Sequence, residues 1–108
     1  MKVVNCTPHD VNVVDGDGKP VATYPRPDDK RVVRVDVSYQ PVKTLENGVV
    51  LYNAVYGKAN LPEPKRGTLY IVSMLVKQAF PDRKDLISPG SLVRDDRGIP
   101  VGCIGLVV

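Results

Sequence analysis

The sequence predicts a mainly β (α+β) fold: a small antiparallel β-barrel or sandwich with one short helix. Three observations carry that expectation. Twenty of the 108 residues are Val and only four are Ala, and a side chain branched at Cβ is stiff and packs well on a pleated surface. Ten Pro and nine Gly punctuate the chain at short intervals, as tight turns require. One segment alone has a capped helical pattern, Ser73 followed by Met74–Phe80 and stopped by Pro81, with Ser a favoured N-cap.

The elements follow in order. Lys2–Cys6 reads as an opening strand, interrupted at Thr7-Pro8-His9 because Pro has no N–H to donate. Asp10–Val14 and Pro20–Tyr24 form a hairpin around Asp15-Gly16-Asp17-Gly18-Lys19. That turn lacks the later Glu of an EF-hand loop and reads as a plain turn. Pro25–Lys30 is a polar, Pro-rich loop. Arg31–Tyr39 then alternates, with Val33, Val35, Val37 and Tyr39 on one face and Arg34, Asp36, Ser38 and Gln40 on the other, the mark of a half-buried strand. Pro41–Leu45 and Val49–Tyr56 make a second hairpin about Glu46-Asn47-Gly48, where Asn-Gly suits a type I′ turn. Gly57–Gly67 is a loop stiffened by Pro62 and Pro64, and Thr68–Val72 is an apolar strand. After the helix, Asp82–Gly90 reads as a charged loop, and Ser91–Asp95 with Ile99–Val108 as the last hairpin.

The 108 residues suit one domain, residues 1–108, with no internal repeat. No apolar run approaches the roughly 20 residues that span a bilayer, and the polar start at Lys2 and Asn5 is unlike a secretory signal. Cys6 and Cys103 lie in apolar strands, form no C-x-x-C motif and read as buried free thiols. One His leaves no zinc-type ligand set, so neither metal nor cofactor is expected. The expected compartment is the cytoplasm. The formal net charge is +3, all of it in residues 55–108. That mild excess suits a small anionic ligand rather than a long nucleic acid, which calls for a dense basic stripe.

Several residue types are suited to such a ligand. Arg83 and Arg94 offer forked donors that match phosphate oxygens, and Asp85 can orient Arg83 or accept from a ribose hydroxyl. Ser73 marks a helix start, where free N–H groups attract anions. Tyr56 can stack on a base. Thr7 and His9 can shape a base or ribose pocket, and His9, the only histidine, is the catalytic candidate if the protein is an enzyme. Each has a plain structural alternative: a cap for Ser73, a solvated charged loop or an internal Arg–Asp pair for Arg83 and Asp85 and likewise for Arg94 and Asp95, sheet packing for Tyr56, and a braced strand break for Thr7 and His9.

Read together, the motifs Asn5-Cys6-Thr7-Pro8-His9, Leu61-Pro62-Glu63-Pro64, Gly67–Ser73, Pro81–Leu86, Pro89-Gly90 and Val93-Arg94-Asp95 resemble a family of small bacteriophage- and prophage-encoded proteins. The resemblance spans nearly the whole chain, with Tyr24–Lys43 the least typical part. It implies an accessory, anti-defence protein in the cytoplasm of an infected cell, and it assigns no residue roles. Three functions stay open on this reading. The first is a homo-oligomeric sponge that sequesters a nucleotide-type immune signal. The second is a metal-independent phosphodiesterase that cleaves a cyclic oligonucleotide. The third is a protein that binds a host defence protein or another phage protein.

Overall fold

The opening strand forms as its valines dictate. β1 (Lys2–Asn5) lies parallel to β6 (Thr68–Ile71), with Lys2 opposite Thr68 and Asn5 opposite Ile71. The computed structural model describes residues 1–108. β6 continues through the helix α1 (Met74–Ala79) into β7 (Leu86–Arg94), which lies parallel to β6. This is a β-α-β crossover, the connection parallel neighbours need. β7 turns back on β8 (Pro100–Val107), β8 lies parallel to β2 (Val11–Val14), and β2 pairs with β3 (Pro20–Tyr24). The six-stranded order is β1-β6-β7-β8-β2-β3. A separate two-stranded sheet joins β4 (Val35–Thr44) to β5 (Val50–Ala59).

The mainly β fold with one short helix is therefore present, with strands making up half of the chain. Its barrel is mixed rather than wholly antiparallel. The three hairpins β2–β3, β4–β5 and β7–β8 are antiparallel, whereas β1–β6, β6–β7 and β2–β8 run parallel. Parallel pairs join strands distant in sequence, so no turn motif announces them.

The sheet curls until its two edges nearly meet. They are joined by a side chain rather than by strand pairing. The buried Asn5 amide, at the end of β1, donates to the carbonyls of Tyr24 (2.9 Å) and Pro25 (3.3 Å) at the end of β3. It also donates to the His9 carbonyl at 2.8 Å, and Asn5 Oδ1 accepts from the Thr7 N–H at 2.9 Å. One side chain thus reaches two backbone groups of the Thr7-Pro8-His9 break and two at the end of β3, the three carbonyls sharing its two N–H groups.

The core lies in two layers, one on each side of β6 and β7. Tyr70, Val72 and Leu86 face Cys6, Val33 and Val76 in one layer, while Ile71 and Ile87 face Val11, Val13 and Cys103 in the other. Alternation along the strands sends neighbours to opposite layers. Burying each aliphatic side chain here contributes about 1.5–3 kcal/mol. Both cysteines are buried free thiols, as expected, and burial pushes the Cys6 thiol above its ordinary pKa, with Arg31 pulling weakly the other way.

Three local expectations need correction. The segment Asp82–Gly90 is not all loop, because Leu86, Ile87 and Ser88 are buried in the first half of β7. Gly90 is in that strand for close approach: a Cβ there would lie 2.1 Å from the Ile104 carbonyl oxygen. The strand expected at Arg31–Tyr39 starts later, because Asp29–Arg31 is a 3₁₀ turn, and it runs on through Pro41 to Thr44. The Asn47-Gly48 turn is not type I′, since Gly48 has a φ of +90° and no non-glycine residue has positive φ. Gly18 and Gly98 end the other two hairpin turns in the same way, each donating its N–H three residues back to Asp15 or Asp95.

β4 and β5 leave the body as an arm. Its root is clasped by Asn60, whose Oδ1 accepts from the Arg34 N–H (2.8 Å) and whose Nδ2 donates to the Val32 carbonyl (2.9 Å). Beyond the root, burial fades: Val33 is 6% exposed and Tyr39 66%. The radius of gyration is 16.6 Å, against about 13 Å for a compact chain of this length.

Candidate anion-binding site

One face of the β1–β6 pair is the floor of a cleft of about 530 Å³. The register sets Lys2 opposite Thr68 and Val4 opposite Tyr70, so these four residues share that face. One wall is the segment 30–33, where the 3₁₀ turn brings Lys30 and Arg31 to the rim. The other wall is 60–65, carrying Asn60, Glu63 and Lys65.

The charge of this cleft is one-sided. Lys2, Lys30, Arg31 and Lys65 line it against the single carboxylate of Glu63. That local excess equals the net charge of the whole chain, +3. None of the four cations takes part in a salt bridge; the ion pairs of the protein are Arg26–Asp29, Arg83–Asp85 and Arg97–Asp95. Asp29, adjacent to Lys30, is already held by Arg26 at 2.8 Å. Four like charges about one concavity repel one another, and an anion placed among them relieves that repulsion. A cleft of this volume falls in the range of small-molecule sites.

The 60–65 wall is braced from behind. Arg83 donates to both Asp85 oxygens at 2.8 Å and to the Pro62 carbonyl at 2.9 Å. The Tyr70 hydroxyl donates to the Glu63 carbonyl at 3.0 Å. The hydrogen bonds from Arg83 hold the Asp85 carboxyl below its ordinary pKa, against burial, which pushes it up. The same bonds raise the pKa of Arg83.

The residues proposed from sequence do not meet in one pocket. Arg83 and Asp85 form the internal pair just described, so their polar atoms position the cleft wall. Arg94 ends β7, about 26 Å from the strand's start at 3.3 Å per residue; its Nη1 donates to the Gly98 carbonyl at 2.9 Å and braces a turn. Tyr56 lies on the arm, opposite Val37. Thr7, His9 and Ser73 do come together, along a second groove of about 750 Å³ whose lining includes Met74, Leu92 and Pro100. That groove shares no residue with the basic cleft except through the Cys6-Thr7 chain neighbours. Thr7 Oγ lies 2.8 Å from Asn5 Oδ1 and 3.0 Å from the His9 carbonyl, within the edge-joining network. Ser73 Oγ accepts the Val76 N–H at 3.3 Å as an N-cap, and the helix behind it has only six residues. The His9 side chain is exposed at the groove.

Lys2, Lys30, Arg31 and Lys65 were not among the expected site residues. Lys30 ends the polar loop and Arg31 opens the expected strand, and the run Asp28-Asp29-Lys30-Arg31 is balanced in charge. The pairing of Asp29 with Arg26 breaks that balance, and the parallel β1–β6 register brings Lys2 into the same cleft. Neither event has a local sequence signal. No group of three or more His, Cys, Asp or Glu side chains is placed to hold a metal ion, and no helix is long and apolar enough to cross a membrane. Among known proteins, no family model, no curated protein and no solved structure matches this chain.

Proposed function

We propose that this protein is a binding module that takes a small, multiply charged anionic ligand of nucleotide type into the basic cleft. The observation that carries the reading is the set of four cations without carboxylate partners about one concavity. Lys30 and Arg31 supply donors for phosphate oxygens from one wall, and Lys2 and Lys65 complete the ring of positive charge. Thr68 adds a neutral hydroxyl suited to ribose or base edges. With the phage resemblance, the corresponding role is sequestration of a nucleotide-type immune signal. Binding is favoured over cleavage because the single histidine lines the other groove, leaving the cations without an imidazole general base. A long nucleic acid is disfavoured because the cations ring a concavity and do not form a stripe.

The test is retention and release. The protein is incubated with cyclic dinucleotides and ADP-ribose-type compounds, filtered, then heated, with chromatography of each compound before and after heating. The expected result is depletion of one compound and its intact release. Conversion to a linear product would establish the phosphodiesterase instead, and no depletion would contradict both. The Lys30→Ala/Arg31→Ala variant should bind about 100-fold more weakly, at about 1.5 kcal/mol per lost charge-assisted contact. Its thermal stability should match wild type, because both side chains are exposed.

A further inference from the structure

The arm is two-faced. Cross-strand partners share a face, and the pairs Val37–Tyr56, Tyr39–Ala54 and Pro41–Tyr52 put three of the five tyrosines of the chain on one side. The pairs Ser38–Val55 and Gln40–Asn53 lie on the other, which is mostly polar. The first face carries no charged residue among these six. Its alternation is that of a half-buried strand, yet Tyr39, Tyr52 and Tyr56 are 66%, 56% and 38% exposed.

We propose that a second copy of this chain covers the face, two arms packing tyrosine side to tyrosine side about a two-fold axis. Three features favour a copy over a foreign protein. An uncharged face meets its own image without like-charge repulsion. It also offers no charge pattern that would select another partner. The exposed apolar area suits a small two-fold contact: at about 200 Å² per tyrosine the three rings leave about 300 Å² uncovered, rather under half of the roughly 800 Å² that each side of a standard interface contributes. An isolated two-stranded hairpin is marginal in water, so the pairing also explains how strands of ten residues stand away from the body. The inference rests on the arm alone and is independent of the cleft.

Sedimentation equilibrium of the full chain tests it. The expected result is a species of twice the 11.8 kDa chain mass. A face smaller than a standard interface supports a weak dimer, so the loading runs up to about 100 µM, where the dimer must show. Tyr39→Ser/Tyr52→Ser should sediment as the monomer, while Ser38→Lys/Gln40→Lys, on the polar face, should remain dimeric. Circular dichroism melts establish that each variant is folded; should the tyrosine variant not fold, Tyr52→Ser alone serves, with at least a tenfold weaker dimer expected. A wild-type chain that stays monomeric at 100 µM would overturn the proposal and assign the face to a different protein. Retention of the dimer by the folded tyrosine variants, or its loss from the polar-face variant, would overturn it as well.

Discussion

β6 and the start of β4 each set a tyrosine among aliphatic residues, Leu69, Tyr70 and Ile71 in one and Val35, Val37 and Tyr39 in the other, and the two tyrosines end in different surroundings. Tyr70 in β6 is 4% exposed, its ring in the core and its hydroxyl donating to the Glu63 carbonyl. Tyr39 in β4 is 66% exposed and lies on a hairpin that touches the body only near its root. The difference is in what the rest of the chain places over each strand. β6 has a strand on either side and packed layers above and below. β4 has β5 on one side, and on its apolar face only Val35, at the root, packs against the core, while Tyr39 stays exposed. Strand propensity sets the backbone in both places, and tertiary contacts alone set the burial.

Substitutions can break this contrast or sharpen it. The largest effect is expected in the body, at the Asn5 join. Asn5→Ala removes the donor to the His9, Tyr24 and Pro25 carbonyls and the acceptor of the Thr7 N–H. Stranding such groups in a buried site costs about 3 kcal/mol, which chemical denaturation would register as a lower midpoint with an unchanged slope.

Next in size is the Arg83–Asp85 brace. Asp85→Asn should cost about 2 kcal/mol near neutral pH, the range for a hydrogen-bonded charge pair that is mostly shielded from solvent. The pH dependence has a definite sign. The folded-state pKa of Asp85 lies below its unfolded value, so the pair stabilises the fold above about pH 4, the ordinary Asp value. That contribution is lost as pH falls through the folded-state pKa. Wild type and Asp85→Asn should therefore converge in stability in acid and separate toward neutrality, as urea titrations across the acid range would record. A constant gap between them at all pH would remove Asp85 from this role.

The smallest effect is expected on the arm. Leu51 is 43% exposed, and it pairs with Lys43, off the tyrosine face. Leu51→Ala should change the denaturation midpoint by less than about 0.5 kcal/mol. A loss comparable to that of a core leucine would mean that the arm is covered on both faces.

The same contrast marks how far the sequence can be read. Hairpins were legible because their turns are local: each ends in a glycine with positive φ, at Gly18, Gly48 and Gly98. The helix was legible from Ser73 and Pro81, which bound it. The first half of β7 was hidden because Pro89-Gly90 looks like a turn, whereas Gly90 is there to let the Ile104 carbonyl approach. The parallel pairings were hidden because they join distant segments. The candidate site was hidden for that reason too. Arg83, Asp85 and Arg94 stood out as the residue types that bind phosphate, but Arg83 and Asp85 are engaged with each other and with Pro62, and Arg94 braces a turn at the far end of β7. The four cations of the cleft, Lys2, Lys30, Arg31 and Lys65, come from three separate stretches that only the β1–β6 register and the 3₁₀ turn bring together.

The most direct test of the cleft is a backbone amide NMR titration with whichever cyclic dinucleotide or ADP-ribose-type compound the protein retains. The largest shifts are expected at Lys2, Lys30, Arg31 and Thr68 and should weaken as salt is raised, since exposed charges are screened. Shifts centred instead on Thr7–Val11 and Leu92, with Lys30 and Arg31 unmoved, would contradict this expectation and transfer the site to the second groove.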